Sequence, residues 1–277
     1  MVINGRSHHI ERAGMTFQRI SLTKAEGVAT ITFNDDPEYL NAWDLRSLED
    51  FEIAFDDLER DDGVRAVIIT GAGRTFSSGG DIRELAEQTE LGPALCKERI
   101  RRHDCMVRRL VELEKPTIAA VNGLSVGSGM NIALGCDFII ASEQACFSQI
   151  LTQRALLPDL GGMWLLPRAV GLARAKELVF TGEMIGAQEA ARIGLAIRVV
   201  PHEELMVEAE MLAQELAGNP PMALAMTKVV LRLDEHMDMR RYVEYEALAQ
   251  AMCMRTEDHR EGVQAFMEKR TPVFKGR

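Results

Sequence analysis

VNGLSVGSGMNIALGCD, residues 121–137, is the stretch on which the reading of this chain turns. An apolar run enters it from Pro116, glycines interrupt it, and a helical pattern continues from Gly127. No charged residue occurs from Pro116 to Cys136, although the chain as a whole is 27% charged. This pattern predicts a buried strand, a glycine turn and a helix. A helix that opens on such a turn presents backbone N–H groups to an anion or to a developing negative charge. The side chain on its first turn and a half that could act as a reacting group is Asn131, and an amide does not titrate. The stretch therefore reads as an anion-binding turn with no acid or base beside it.

At 277 residues the chain is long enough for a sizeable core, and its 47% hydrophobic content is that of a soluble globular protein. The formal net charge of −10 argues against nucleic acid as a partner, which a basic face would have to hold. It leaves room for a phosphorylated small molecule held by local cations. Five cysteines without a C-x-x-C pair point to reduced thiols and a cytoplasmic setting. No His, Cys or carboxylate cluster has metal spacing, so no metal is expected. The uncharged run is long enough to span a bilayer, but Asn122, Asn131 and its glycines and serines make it a poor membrane segment. Residues 1–14 lack an apolar core of the signal-peptide kind and are expected to be a disordered extension with His8 and His9 exposed.

Outward from the central stretch, strand–helix units repeat. Residues 17–34 alternate around Glu26-Gly27 as a hairpin. Leu45, Leu48, Phe51, Ile53, Phe55 and Leu58 mark an amphipathic helix. VRAVIITGAG, residues 64–73, and KPTIAAVNG, residues 115–123, are buried strands ending in glycine. A long helix is expected near 93–113, short strands at CDFIIAS and ACFSQ, and a strand at 196–200. From Pro201 to about Glu268 only helices are expected, broken at GNPP. The prediction is an α/β body over 15–204 and a helical region over 205–277, whose apolar stripes (Leu205, Leu212, Leu216; Tyr245, Leu248, Met252) are suited to another subunit.

Several motifs compete. GLSVG, residues 123–127, matches G-x-S-x-G between a strand and a helix, so Ser125 is a candidate hydrolase nucleophile with His202, His236 or His259 as its base. GAGRTF, residues 71–76, starts like a dinucleotide fingerprint but carries Phe76 at the third glycine position. HEELM at 202 lacks the second histidine of a zinc helix. What remains is a pair of glycine turns, GRTFSSGGDIREL at 73–85 and NGLSVGSGMNIAL at 122–134. Two such turns can aim two N–H groups at one oxygen, as an oxyanion hole does.

With LNAWD at 40–44, TGEMIGAQEAARIGLA at 181–196 and EDHREGVQAF at 257–266, these turns give the chain a broad resemblance to the enoyl-CoA hydratase/isomerase (crotonase) family. The resemblance implies a spiral of ββα units with a C-terminal helical trimerisation region, as a homotrimer or a dimer of trimers. It implies an acyl-CoA thioester as substrate, with coenzyme A entering as part of it and no permanently bound cofactor. It places the oxyanion donors at the backbone N–H groups of Gly80 and Ser128. It lines the CoA channel with Leu40, Ala42, Ser78, Gly80, Asp81 and Ile82, and brings Phe274 and Lys275 of the tail toward a neighbouring subunit's CoA.

The chain departs from that pattern where hydratases of the family carry two glutamates, because Asn131 and Leu151 stand there. One carboxylate remains at a position where some isomerase branches place their acid/base, Asp159 in LPDLGGMWLLPR. Its apolar neighbours Leu151, Leu156, Leu157, Leu160 and Trp164 are expected to raise its pKa, and as a favoured N-cap residue it also suits a purely structural role. The expected activity is a double-bond shift with one carboxylate base. A hydratase using another group, an inactive acyl-CoA binder and a serine hydrolase at Ser125 stay open.

Overall fold

The computed structural model describes residues 16–34, 39–233 and 237–277. The expected N-terminal extension and His236 lie outside them.

Strands β1 (Ile20–Ala25) and β2 (Val28–Phe33) form the hairpin, with Ala25 opposite Val28 across a two-residue loop. Glu26 and Gly27 both take positive φ, 50° and 83°, as the primed turns that match strand twist require. Helix α1 (Leu45–Arg60) follows, capped by Asp44, which accepts from Ser47 N at 2.8 Å. Next come β3 (Ala66–Gly71), β4 (Thr75–Ser77), α2 (Ile82–Gln88) and α3 (Pro93–Glu112). Then β5 (Thr117–Val121), β6 (Leu124–Val126) and α4 (Ser128–Gly135) repeat the pattern, and β7 (Phe138–Ser142) with β8 (Cys146–Ser148) begins it again. Helices α5 (Gly162–Val170) and α6 (Leu172–Thr181) lead to β9 (Ile185–Gly186), α7 (Ala187–Arg192) and β10 (Arg198–Val200). The chain closes with α8 (Leu205–Ala217), α9 (Pro221–Leu231), α10 (Met239–Cys253) and α11 (Glu257–Glu268).

The first strand of each repeat joins a six-stranded sheet in the order β1-β2-β3-β5-β7-β10, parallel from β2 onward. The second strand of each repeat joins a four-stranded sheet, β4-β6-β8-β9. This is the ββα spiral. Of the second sheet the sequence reading holds only β8, in ACFSQ, while β4 and β6 fall inside the glycine turns. Strands of two or three residues carry no periodicity, and only their backbone partners define them.

Side-chain alternation along the large sheet separates two cores. Ile31, Phe33, Val67, Ile69, Ala119, Val121, Ile139 and Ala141 face the main core with α1, α3 and α4. Val28, Ala66, Ile68, Ile118, Ala120 and Ile140 face the other way, where Leu205, Ala209, Ala213 and Ala217 of α8 cover them. Small residues at every fourth position let α8 lie close on the sheet. The helices after Pro201 thus differ in kind: α8 belongs to the packing of the body, whereas α10 buries none of its residues in this chain. The uncharged run at 116–136 is β5, β6 and α4 of the interior, and no described helix is long and apolar enough to cross a membrane.

Candidate active site

Two parallel strands bring the glycine turns together. Ser77 of β4 pairs with Ser125 of β6, so the turns that follow them leave the sheet side by side. At Gly79 (φ 92°) a Cβ would lie 2.6 Å from Val126 O, a distance backbone cannot yield to, so only glycine allows this approach. The same Cβ would sit 3.6 Å from Ser128 N, and one on Gly80 would sit 3.8 Å from Ser128 Oγ. The two expected oxyanion donors are therefore neighbours.

Their N–H groups are also left over by the backbone. Gly80 bridges Trp43 in parallel: Trp43 N donates to Gly79 O at 2.8 Å and Asp81 N to Trp43 O at 2.9 Å. That pattern uses the residues on either side of Gly80 and turns its own N–H outward. Ser128 is the first residue of α4, where no carbonyl lies one turn earlier in the helix to accept its N–H. Leu151, at one missing glutamate position, is buried with its side chain 3.6 Å from where a Gly127 Cβ would be.

The loop before α1 docks on the first turn. Ser78 N donates to Leu40 O at 3.1 Å and Ser77 Oγ to Asn41 O at 2.7 Å. Asn41 Nδ2 donates to Thr75 O at 2.6 Å and Ala72 O at 3.1 Å. Leu40, Ala42, Ser78, Gly80, Asp81 and Ile82 are thus brought together. Ala42 is buried, Leu40 and Ser78 are half-buried, and Ile82 is exposed. Asp81 caps α2, accepting from Arg83 N at 2.8 Å and from the Arg83 guanidinium at 2.6 Å. That guanidinium holds the Asp81 carboxyl below the usual range, so it stays ionised.

Asn131 is fully buried one turn into α4. Its Nδ2 donates to Asp159 O at 3.0 Å, and its Oδ1 accepts from the buried Gln149 Nε2 at 2.6 Å. Asp159 itself is not the cap of α5. Gly161 holds that position without a side-chain bond, and the buried Asp159 Oδ1 has no hydrogen-bond partner. The apolar wall is only partly as expected. Leu151 and Leu160 are buried, but Leu156, Leu157 and Trp164 are 44%, 72% and 46% exposed in this chain: residues 155–157 run along the surface before the buried Pro158, and Trp164 stands on an open side of α5. Burial, and after it the charge of Asp104, push the Asp159 carboxyl up to about 6.

Ser125 is not a nucleophile elbow. It lies inside β6, fully buried, with its Oγ unpartnered. His202 Nδ1 lies 3.0 Å from Ser142 Oγ instead, and His259 is exposed on α11. Phe274 and Lys275 are tied to their own chain rather than to the glycine turns. Lys275 N donates to Asp258 Oδ1 at 2.6 Å, and Phe274 O accepts from Arg65 at 3.0 Å. All five cysteines are free.

Several residues of the site went unnoticed in the sequence. Asn41 (φ 54°) was signalled only by the tolerance of Asn for left-handed turns. Asp104 and Gln149 left no local signal, since their partners lie 56 and 18 residues away. His103 accepts from Trp43 Nε1 at 2.8 Å, and burial lowers its pKa to about 4, so it is a neutral brace for the Trp43–Gly80 bridge. One surface cavity, of about 780 Å³, lies beside Lys115 and the C-terminal residues, and another, of about 850 Å³, opens between α3, α5 and α9 with Asp104 and Gly161 in its lining. The paired N–H donors, rather than cavity size, identify the site.

Comparison with known proteins agrees with this fold. Residues 23–277 match the enoyl-CoA hydratase/isomerase family. The 1,2-epoxyphenylacetyl-CoA isomerase of Escherichia coli K12 is 38% identical over 91% of this chain and 96% of its own length. The short-chain-enoyl-CoA hydratase of Clostridium acetobutylicum is 38% identical over 92% and 97%. The crystal structure of an enoyl-CoA hydratase from Bacillus anthracis, 35% identical, superposes with a TM-score of 0.87 over 94% of this chain and 100% of that one. With the ββα spiral and the two facing glycine turns in place, the chain belongs to the enoyl-CoA hydratase/isomerase family.

Proposed function

We propose that this enzyme shifts a double bond in an enoyl-CoA thioester with Asp159 as its single base. The observation that carries the reading is the Asp159 carboxyl, held back from water with an unpartnered Oδ1 and joined through Asn131 to the helix whose first N–H is an oxyanion donor. In a 3-enoyl ester the carboxylate takes a proton from C2, the C2–H electron pair moves into the thioester, and the enolate oxygen lies on the Gly80 and Ser128 N–H groups. The dienolate then takes the same proton at C4, and the double bond stands at C2. One group suffices for this. Addition of water would need a second group to activate it, and the two positions where family hydratases carry glutamate hold an amide and a leucine. A pKa near 6 leaves Asp159 ionised at neutral pH and more basic than an ordinary carboxylate.

A screen of 2-enoyl-, 3-enoyl- and dienoyl-CoA esters tests this, following the absorbance of the conjugated thioester and deuterium uptake at Cα. A 3-enoyl ester is expected to be converted to its 2-enoyl isomer, with kcat/KM rising as pH increases through about 6. Hydration of a 2-enoyl ester as the dominant reaction would sink the isomerase reading.

The C-terminal helices support assembly with further copies of the chain. Tyr245, Leu248 and Met252 on α10 and Phe266 and Met267 on α11 are 49–86% exposed here. We expect a trimer or a pair of trimers by light scattering at micromolar concentration. A monomer would count against this assembly and against an approach of the tail to a neighbour's CoA.

A further inference from the structure

We infer that Asn131 and Asp104 are positioning residues that clamp one peptide unit, Asp159–Leu160, and so aim the Asp159 carboxyl. The inference rests on the reading of Asp159 as the base. The two poles of this peptide are held by side chains from different helices. Asn131 Nδ2 on α4 donates to its carbonyl at 3.0 Å, and its N–H donates to Asp104 Oδ1 on α3 at 2.8 Å. Gly162 N adds a second bond to the same carbonyl at 2.8 Å.

The conformation between them is one the chain would not adopt unaided. Leu160 has φ 47° and Gly161 φ 73°, so a bulky residue sits in the left-handed region. That state is strained for a residue with a side chain and persists only where the surroundings over-determine it. Leu160 is fully buried, which anchors the turn from its side chain, while the two clamp bonds hold its backbone. The clamp is itself braced. Gln149 Nε2 donates to Asn131 Oδ1, leaving the Asn131 amide one orientation. Gly162 must lack a Cβ, because one would lie 2.3 Å from Asn131 Oδ1.

This accounts for an amide at a position where family hydratases carry glutamate. A carboxylate there could not donate to the Asp159 carbonyl. It would also add a third negative charge beside Asp104 and Asp159, each already raised by burial. An amide donates, and carries no charge to oppose the base.

The test is steady-state kinetics on a 3-enoyl-CoA ester with Asn131→Ala, Asp104→Ala, Asp104→Asn, Asp159→Asn and the Asn131→Ala/Asp159→Asn pair. Fold and site integrity are checked by titration with hexanoyl-CoA. Asn131→Ala and Asp104→Ala are expected to lower kcat about 10- to 100-fold, the usual cost of misplacing a reacting group, with KM within a few-fold. Asp104→Asn keeps an oxygen for the Leu160 N–H and is expected to recover most of kcat. If the clamp acts through Asp159, the double variant is no slower than Asp159→Asn alone. Additive losses, or normal kcat in folded Asn131→Ala and Asp104→Ala proteins, would overturn the clamp while leaving Asp159 as the base. Should Asn131→Ala fail to fold, the Asp104 pair decides: no loss in Asp104→Ala, or no recovery in Asp104→Asn, refutes the clamp. Near-normal turnover in Asp159→Asn would refute the parent reading, and the positioning role with it.

Discussion

Replacing Asp159 by Asn is expected to lower isomerase turnover by roughly 10²–10⁴, the range of general acid–base catalysis, while the protein becomes no less stable. The substitution keeps shape and volume and removes the one carboxyl proposed to carry the proton. The structure removes the competing explanation that Asp159 serves as a helix cap, since Gly161 occupies that position and the Asp159 Oδ1 has no partner to lose. Stability should move in the opposite direction from activity. The folded pKa, about 6, lies above the value near 3.9 of an unfolded aspartate, so the folded state holds the proton more tightly. Folding stability from this group is therefore lost as pH rises between those values, and the ionised carboxylate opposes folding at neutral pH. Asp159→Asn is expected to melt a few degrees above the parent at pH 7–8, with the gap closing as pH falls toward 4. A melting point lowered at every pH would show that Asp159 is structural. Near-normal turnover in the folded variant would leave the proton-transfer group elsewhere.

Ser128→Pro is expected to cost about 3–4 kcal/mol of transition-state stabilisation, a fall in kcat/KM of roughly 10²–10³, whereas Ser128→Ala keeps activity within a few-fold. The contrast follows from what each change removes. Alanine deletes a hydroxyl and keeps the backbone N–H; proline deletes the N–H. Ser128 is the first residue of α4, the helix position where proline is best tolerated, because the missing N–H has no helical acceptor to lose. The loss can then be assigned to the oxyanion site once circular dichroism shows both variants folded. Equal loss in the two variants would assign the role to the hydroxyl and remove the backbone donor from the site.

The sequence by itself determined the strands of the large sheet, the order of the helices and the pair of glycine turns. These rest on local rules: β3 and β5 are continuous apolar runs because both of their faces are covered, and the turns need glycine whatever surrounds them. The family also followed from residue order, and with it the expected donors Gly80 and Ser128. Tertiary structure decided the rest. Strands β4 and β6 exist only because their backbones pair, and that pairing sets Gly80 beside Ser128. The same pairing excluded Ser125, whose G-x-S-x-G spacing says nothing of its burial inside β6. Asp159 was visible as a carboxylate at a family position, but its unpartnered oxygen and its neighbour Asp104 were not. Asp104 lies 55 residues before Asp159 on α3, and the fold alone brings it to the Leu160 N–H. Asn131 shows the division most plainly. In the sequence it is a missing acid, whereas in the fold it is a buried donor to the Asp159 carbonyl, since hydrogen-bond partners across helices leave no periodicity to read.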